Sequence, residues 1–475
     1  FWLNTLLVLS MILVMGVGTY VIFTFDPNIN FSSPGRVVRP LAKHSRTGRR
    51  RARRCHRRSG RSANLAHVLA PERRTRADIL IAVAIALVLA IAALVVWIQS
   101  DARGTESVVA DTPVDTPPAA STLPTELREL WHAPDGASTE ALTSGGVVVT
   151  ADGGTVTGRD PRTGAEIWHY RRDIPLCGVQ SQFGTVIAVY RDDRGCSQTT
   201  MLLGSDGSRT TARSSDMDSE IALSVDGTYV LAQGPRRLEM WRSDLVRTLE
   251  YGRVEAKEIP KSQPRQDCSL VSASSSSSRL AVLERCPGDT ANRLTVLDPA
   301  PKDFRVPKEF GSRELNGPGT DSPEAEVIAV SDNRIVLYLP GATSPDPAPP
   351  RLAVFDATGN PLVAHELSAP LAQTTTTTRI GSAYLVFTGN SLIALNASTF
   401  DPMWTAAGAL GSPALMAGHI LVPVDGAIAA LDPATGAEVT RIPVERKGYD
   451  GSPIALGVLG DVVLEHRGNQ LVAFG

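Results

Sequence analysis

From Leu127 to the C-terminus, apolar residues come in short runs of four to seven, broken by Gly, Asp, Asn or Pro, and no long window repeats with a helical period. That pattern belongs to many short β-strands. Two earlier stretches differ. Residues 1–25, FWLNTLLVLSMILVMGVGTYVIFTF, contain Asn4 as their one strongly polar residue, and residues 79–98, ILIAVAIALVLAIAALVVWI, contain none. Each is long enough to cross about 30 Å of hydrocarbon as a helix. The second predicts a transmembrane helix over 78–99, with Trp97 at headgroup depth. The first, in a chain that begins at Phe1, reads either as a first transmembrane helix or as an extension foreign to the native protein. It shows neither the positive n-region nor the small-residue cleavage site of a signal peptide. Residues 100–126 are rich in Pro, Thr, Ser and Ala with little to bury, and predict a flexible stalk. Truncation before Leu127 is therefore expected to be tolerated.

The strand-rich part repeats a turn. In GRDPRTG (158–164) Pro161 presets φ, the Asp160 side chain can accept from amides ahead of it, and Gly164 supplies a left-handed position. LDPATG (431–436) places Asp432 and Gly436 in the same roles, and FDATG (355–359) does so with Asp356 and Gly359. Weaker copies are GSDG (204–207), LDPAP (297–301) and LNASTF (395–400). Around these turns the chain divides into units of about 40 residues with four strands each, the period of propeller blades. The units fall at 136–173, 177–215, 216–252, 266–310, 323–368, 371–409 and 410–447. After residue 450 there are three strands and then the end of the chain, which leaves an apolar edge. The orphan strand at 126–133 is expected to close that last blade, bringing Trp131 beside Phe474. The prediction is an all-β, eight-bladed propeller over 127–475, preceded by transmembrane helices.

Charge divides the chain in the same place. The total of −2 hides fifteen Lys or Arg against one acid between Arg36 and Arg76, and 46 acids against 32 bases over 101–475. Lys/Arg-rich loops remain cytoplasmic, so 26–77 is placed inside and the propeller outside the cytoplasmic membrane. The run RTGRRRARRCHRR (46–58) suits topology and contact with anionic lipid. It lacks the folded domain or stacking platform that a nucleic-acid site would add, so no nucleic-acid partner is expected. Cys55, inside it, reads as a free thiol. The other four cysteines lie in the strand-rich part, an even count that suggests disulfides in an oxidising compartment. Four cysteines allow three connectivities. Each local pair spans two strands and a turn, which favours Cys177–Cys196 and Cys268–Cys286. No C-x-x-C spacing supports a metal site.

ALDPATGAEV and GRDPRTGAEIW resemble the repeat of pyrroloquinoline-quinone-like propellers, with Trp168 and Trp404 at its terminal tryptophan position and Trp131 in that role in the closing blade. The resemblance implies that these indoles dock between neighbouring blades. It covers about 127–475, good for the first, sixth and seventh units and degenerate elsewhere. With its membrane helix and Ala/Arg/Val-rich composition, the chain looks like an envelope-anchored propeller from a high-GC actinobacterium. The enzymes of this family use pyrroloquinoline quinone, calcium, a catalytic aspartate and a ring of adjacent cysteines. This chain has no adjacent cysteines, and aromatic residues are 5% of it. It is more similar to the non-enzymatic branch, which includes the propeller lipoprotein of the outer-membrane barrel-assembly machinery.

Candidate chemistry is sparse. His132, His169, His365, His419 and His466 show no metal-ligand spacing, and no G-x-S-x-G nucleophile motif occurs. The runs SSSSS (274–278) and TTTTT (374–378) sit at unit starts and read as strand or turn filler. The expectation is a non-catalytic binding or scaffold module, without a cofactor, catalytic residue or metal ligand, that meets an unidentified envelope protein through inserts at 253–267, 311–322 and 341–350. The alternatives are a quinone-dependent oxidoreductase and a sensor that signals through the basic loop.

Overall fold

The structure, a computed structural model, describes residues 75–98, 100, 103–255, 257–342 and 347–475. The expected helix at 1–25, the basic loop up to residue 74 and Cys55 lie outside the described residues. The first described element is a helix, Arg76–Ile98, long and apolar enough to cross a membrane. Its start is a capping box: the Thr75 amide and hydroxyl donate to Asp78 Oδ2 at 2.7 and 2.8 Å, and the Asp78 amide donates back to Thr75 Oγ1. At its end Ser100 donates from both its amide and hydroxyl to the Trp97 carbonyl.

The remainder, from Gly104, folds separately. Its strands form eight sheets, each with a four-stranded antiparallel meander, arranged as the blades of a propeller. Blade 1 starts at Leu142–Ser144 and ends at Glu166–Arg172. Blades 2 to 7 begin with the strands Leu176–Gln182, Ala222–Val225, Ser269–Ser275, Glu326–Val330, Thr376–Ile380 and Ala414–Met416. Blade 8 takes Ile454–Leu459, Val462–Arg467 and Gln470–Phe474 from the end of the chain and Glu129–Pro134 from its beginning. In that closure Trp131 is the register partner of Ala473, and Glu129 that of Phe474.

The middle two strands of nearly every blade carry the longest buried runs. Val147–Asp152, Leu280–Arg285 and Arg334–Leu339, for example, are buried along nearly their whole length. Such strands, covered on both faces, have no reason to alternate, which is why the sequence shows apolar runs instead of a period of two. The core is correspondingly a ring. Eight hydrophobic clusters each join two neighbouring blades, from blades 1 and 2 round to blades 8 and 1. Opening any one interface strips apolar cover from two blades.

The expected flexible stalk needs correction. Thr105–Val108 adds a fifth strand to the outer edge of blade 1, pairing with Glu166–Arg172. Beyond it the Ala110 and Val114 amides donate to the Asp206 and Ser205 carbonyls of blade 2. Ala120 and Leu123 then pack against the core between blades 7 and 8. Residues 105–126 are thus a strap on the propeller, and the folded unit begins before Leu127. A segment poor in apolar residues is ordered here by the surface it crosses.

Candidate functional site

The innermost strands of all eight blades surround an axial channel. One section, of about 510 Å3, is lined from all around the ring, with Glu140, Gln180, Asp226, Ser275, Thr377, Arg379, Ser412 and Leu456 among its residues. A second, of about 490 Å3, shares Ser224 with it and is lined by Ser272, Glu324, Glu326 and Gln373. Both fall in the size range of ligand sites. Hydroxyls bridge neighbouring blades along the wall: Ser275 donates to Asp226 Oδ2 at 2.6 Å, and the Thr376 and Ser412 hydroxyls lie 2.7 Å apart. Gln180 donates to Glu140 Oε1 at 3.2 Å. Glu140 and Glu326 are open to channel water yet surrounded by protein, and this desolvation raises both carboxyls above their ordinary pKa.

The two homopolymeric runs therefore have a place that the sequence did not reveal. Ser274–Ser276 and Thr376–Thr378 form channel wall in blades 4 and 6. The signal was present as hydroxyl runs at unit starts, but only ring geometry turns a unit start into an axial surface.

The propeller has two unlike faces. Turns between first and second strands, and between third and fourth, emerge on one face. Turns between second and third strands, with the connections between blades, emerge on the other. The strap touches turns of the first kind, at Ser205, Asp206, Gly146 and Gly460. The second face carries both disulfides, each tying the start of an innermost strand to the turn after the second strand. Cys177 joins Cys196, and Cys268 joins Cys286, with Cα separations of 5.9 and 4.2 Å. The three inserts also emerge there. Residues 311–314 are strand rather than insert, since the outer strand of blade 4 extends to Glu314. The insert at 311–322 touches the strand that follows the one at 341–350, where Arg351 donates to the Pro318 carbonyl at 2.7 Å.

The repeat turns and tryptophans form one interlocking device. Asp160 Oδ1 accepts from the Arg162 and Thr163 amides and the Thr163 hydroxyl. Asp432 repeats this with Ala434 and Thr435, and Asp356 with Thr358 and Asn360. Gly164, Gly359 and Gly436 have φ of +70°, +82° and +69°. Trp131, Trp168 and Trp404 each reach into the turn of the following blade, where the indole N–H donates to the carbonyl of Pro161, Gly204 or Pro433. Each ring lies on that turn's glycine, so a Cβ at Gly164, Gly207 or Gly436 would come within 2.6 Å of it.

Deeper in the blades are buried carboxylates that sequence patterns did not flag. Glu239 is fully buried. Burial alone would raise its pKa, but Arg213, Arg237 and Arg247 hold it down at about 2. Glu465 is likewise buried, bound by Arg446 and Arg467. Glu284 accepts from Arg265 at 2.9 Å and from Tyr251 and Thr295. Of the histidines, His466 is buried at the seam between blades 8 and 1, its Nε2 3.0 Å from the Asp135 carbonyl oxygen.

A closed ring of four-stranded blades, joined through its terminal strands and preceded among the described residues by one apolar helix, defines the chain as an eight-bladed β-propeller. No protein-family model and no curated protein matches its sequence. Among solved structures it is similar to BamB from Moraxella catarrhalis, at 14% identity and a TM-score of 0.45 over 73% of this chain and 99% of that one. A computationally designed protein, Ika8, is similar at 14% identity and a TM-score of 0.45, over 76% and 99% of the two chains. The N-terminal domain of Nup159 is similar at 10% identity and a TM-score of 0.40, over 77% and 99%.

Among the described residues, the aromatic residues that line the channel are Tyr338 and Tyr384. Tyr384 is 8% exposed, with its hydroxyl donating to the Val330 carbonyl at 3.0 Å.

Proposed function

We propose that the chain is a membrane-anchored, extracytoplasmic β-propeller that serves as a non-catalytic binding or scaffold module in the cell envelope. It grips a partner protein through the face that carries the disulfides and inserts. The carrying observation is the difference between the two faces. One is crossed by the chain's own strap, and the other gathers three inserts and two covalent braces around a channel mouth. Loops held on a rigid scaffold are where binding residues concentrate. Anchoring is supported by the Arg76–Ile98 helix, and an outside location by the arginine-rich segment before it and by two disulfides. Contact of the basic segment with anionic lipid belongs to the same reading.

Site-specific photo-crosslinking in native membranes tests this. A crosslinker at exposed Glu258 or Lys261 should capture a discrete protein partner, whereas one at Ala434, on the opposite face, should not. Equal capture at all three positions, or capture only at Ala434, would refute the assignment of the binding face.

A further inference from the structure

Away from the channel, the buried Glu239, Glu284 and Glu465 meet arginine, while Asp135 faces His466. Glu239 has three guanidiniums, Glu465 two and Glu284 one. The channel breaks this pattern. Glu140, Asp226, Glu324 and Glu326 line its two sections, and Arg379 is the single basic residue among the lining residues. The Arg379 guanidinium sits 5.6 Å from the centre of the Tyr384 ring. None of the four acids makes an ion pair among the described residues, although His466 acts on Glu140 and lowers its carboxyl against the effect of burial. Glu326 also has no hydrogen-bond donor, and burial is the one cause of the rise in its pKa. Confined, unneutralised carboxylates concentrate counter-ions, because low-dielectric walls focus their field.

The spacing of the charges selects the kind of cation. Among the described residues, the one group whose ligand atoms converge within 4.8 Å is Cys268, Glu284 and Cys286, and its sulfurs are spent in a disulfide. The channel acids do not converge on a point, as a metal ion would need. They are spread along a passage whose wall also carries Gln180 and the Ser274–Ser276 and Thr376–Thr378 hydroxyls. That arrangement suits a long ligand with separated positive groups and amide or amine hydrogen-bonding atoms between them.

We propose that the axial channel is a binding site for an extended organic cation bearing ammonium or guanidinium groups. Lysine or arginine side chains of a peptide and a free polyamine share this chemistry. The ligand proposed for the channel is distinct from the protein partner assigned to the insert-bearing face.

The test uses the full chain in detergent micelles and three probes: fluorescein-labelled tetralysine, the same label on tetraglutamate, and unlabelled spermidine as competitor. Tetralysine should bind and tetraglutamate should not. The double variant Glu140→Gln/Glu326→Gln should weaken tetralysine binding at least tenfold while keeping the wild-type melting temperature. The double variant Glu126→Gln/Glu445→Gln removes the same charge from exposed positions and should bind as wild type. Displacement by spermidine assigns the site to polyamines as well, and failure of spermidine to compete assigns it to peptides. Three results would overturn the proposal: no binding of tetralysine, wild-type binding by the channel variant, or equal weakening by the surface variant.

Discussion

The docking of Trp168 on the glycine of the next blade makes a quantitative prediction. The indole is fully buried, donates to the Gly204 carbonyl at 2.8 Å, and lies between Gly158 of its own blade and Gly207 of the next. Trp168→Ala should cost about 3–5 kcal/mol from the lost burial and the cavity. Gly207→Ala has two separable costs. Its φ of +76° costs about 1–2 kcal/mol with any Cβ. The Cβ would also lie 2.6 Å from the indole, so the ring must shift. Once the indole is gone, only the first cost remains. The two substitutions should therefore be non-additive, with the double variant more stable than the sum of the singles by at least about 1 kcal/mol. Gly418 is the control, because its φ is +78° and a Cβ there meets nothing within 4 Å. Gly418→Ala should cost about 1–2 kcal/mol in either background. Urea unfolding of the full chain, followed by far-UV circular dichroism, measures all five variants. If Gly207→Ala costs the same with and without Trp168, to within about 0.5 kcal/mol, the indole is not what requires glycine there.

Three further outcomes are expected. At the seam Asp135 is fully buried and joins blade 1 to blade 8, accepting from the Ala151 amide and donating its own amide to Asn469. Burial raises its carboxyl to about 6 despite bonds from Ser138 and Ala151 and the nearby His466. A carboxyl raised in the folded state favours folding when protonated, so this group's contribution falls as pH rises from about 4 to about 6, by about 3 kcal/mol. Asp135→Asn should flatten that part of the stability profile, and an unchanged slope in chemical denaturation across pH 4–7 would show that Asp135 is not its source. Cys177→Ser/Cys196→Ser should lose about 3 kcal/mol, the chain-entropy value for a loop of this length. Peptide mapping without reductant should recover the 177–196 and 268–286 linkages. Deleting 105–126 while leaving Leu127 in place should lower the melting temperature, because Ala120 and Leu123 pack against the core and Thr105–Val108 covers the edge of blade 1; no change would return the segment to the role of a free stalk.

What the sequence showed and what it hid divide by distance along the chain. The D-P-x-T-G turn was legible because its hydrogen bonds close within five residues. Ring closure was legible because the last unit shows three strands and 126–133 was the strand that no unit claimed. The channel was not, since Glu140 and Leu456 come from opposite ends of the folded unit and share a wall only after all eight blades are in place. The strap was not, because nothing in its own composition orders it.

The tryptophan position lies between these cases, and it explains the departure from the repeat turn in blade 6. In blade 6 the glycine of the turn is replaced by Phe400, which keeps the left-handed backbone at φ +60° and is fully buried. The blade before it carries Val363 where Trp168 and Trp404 stand in theirs, four residues after the turn glycine. No indole arrives, so the Phe400 ring occupies the gap, 5.2 Å from the ring of Tyr384 and packed in the cluster between blades 5 and 6. A bulky residue at positive φ costs about 1–2 kcal/mol, and burying a phenylalanine returns about 1.5–3 kcal/mol. The unit of the repeat is therefore an interface rather than a blade. Tryptophan in one blade requires glycine in the next, and loss of the first permits a large side chain in place of the second.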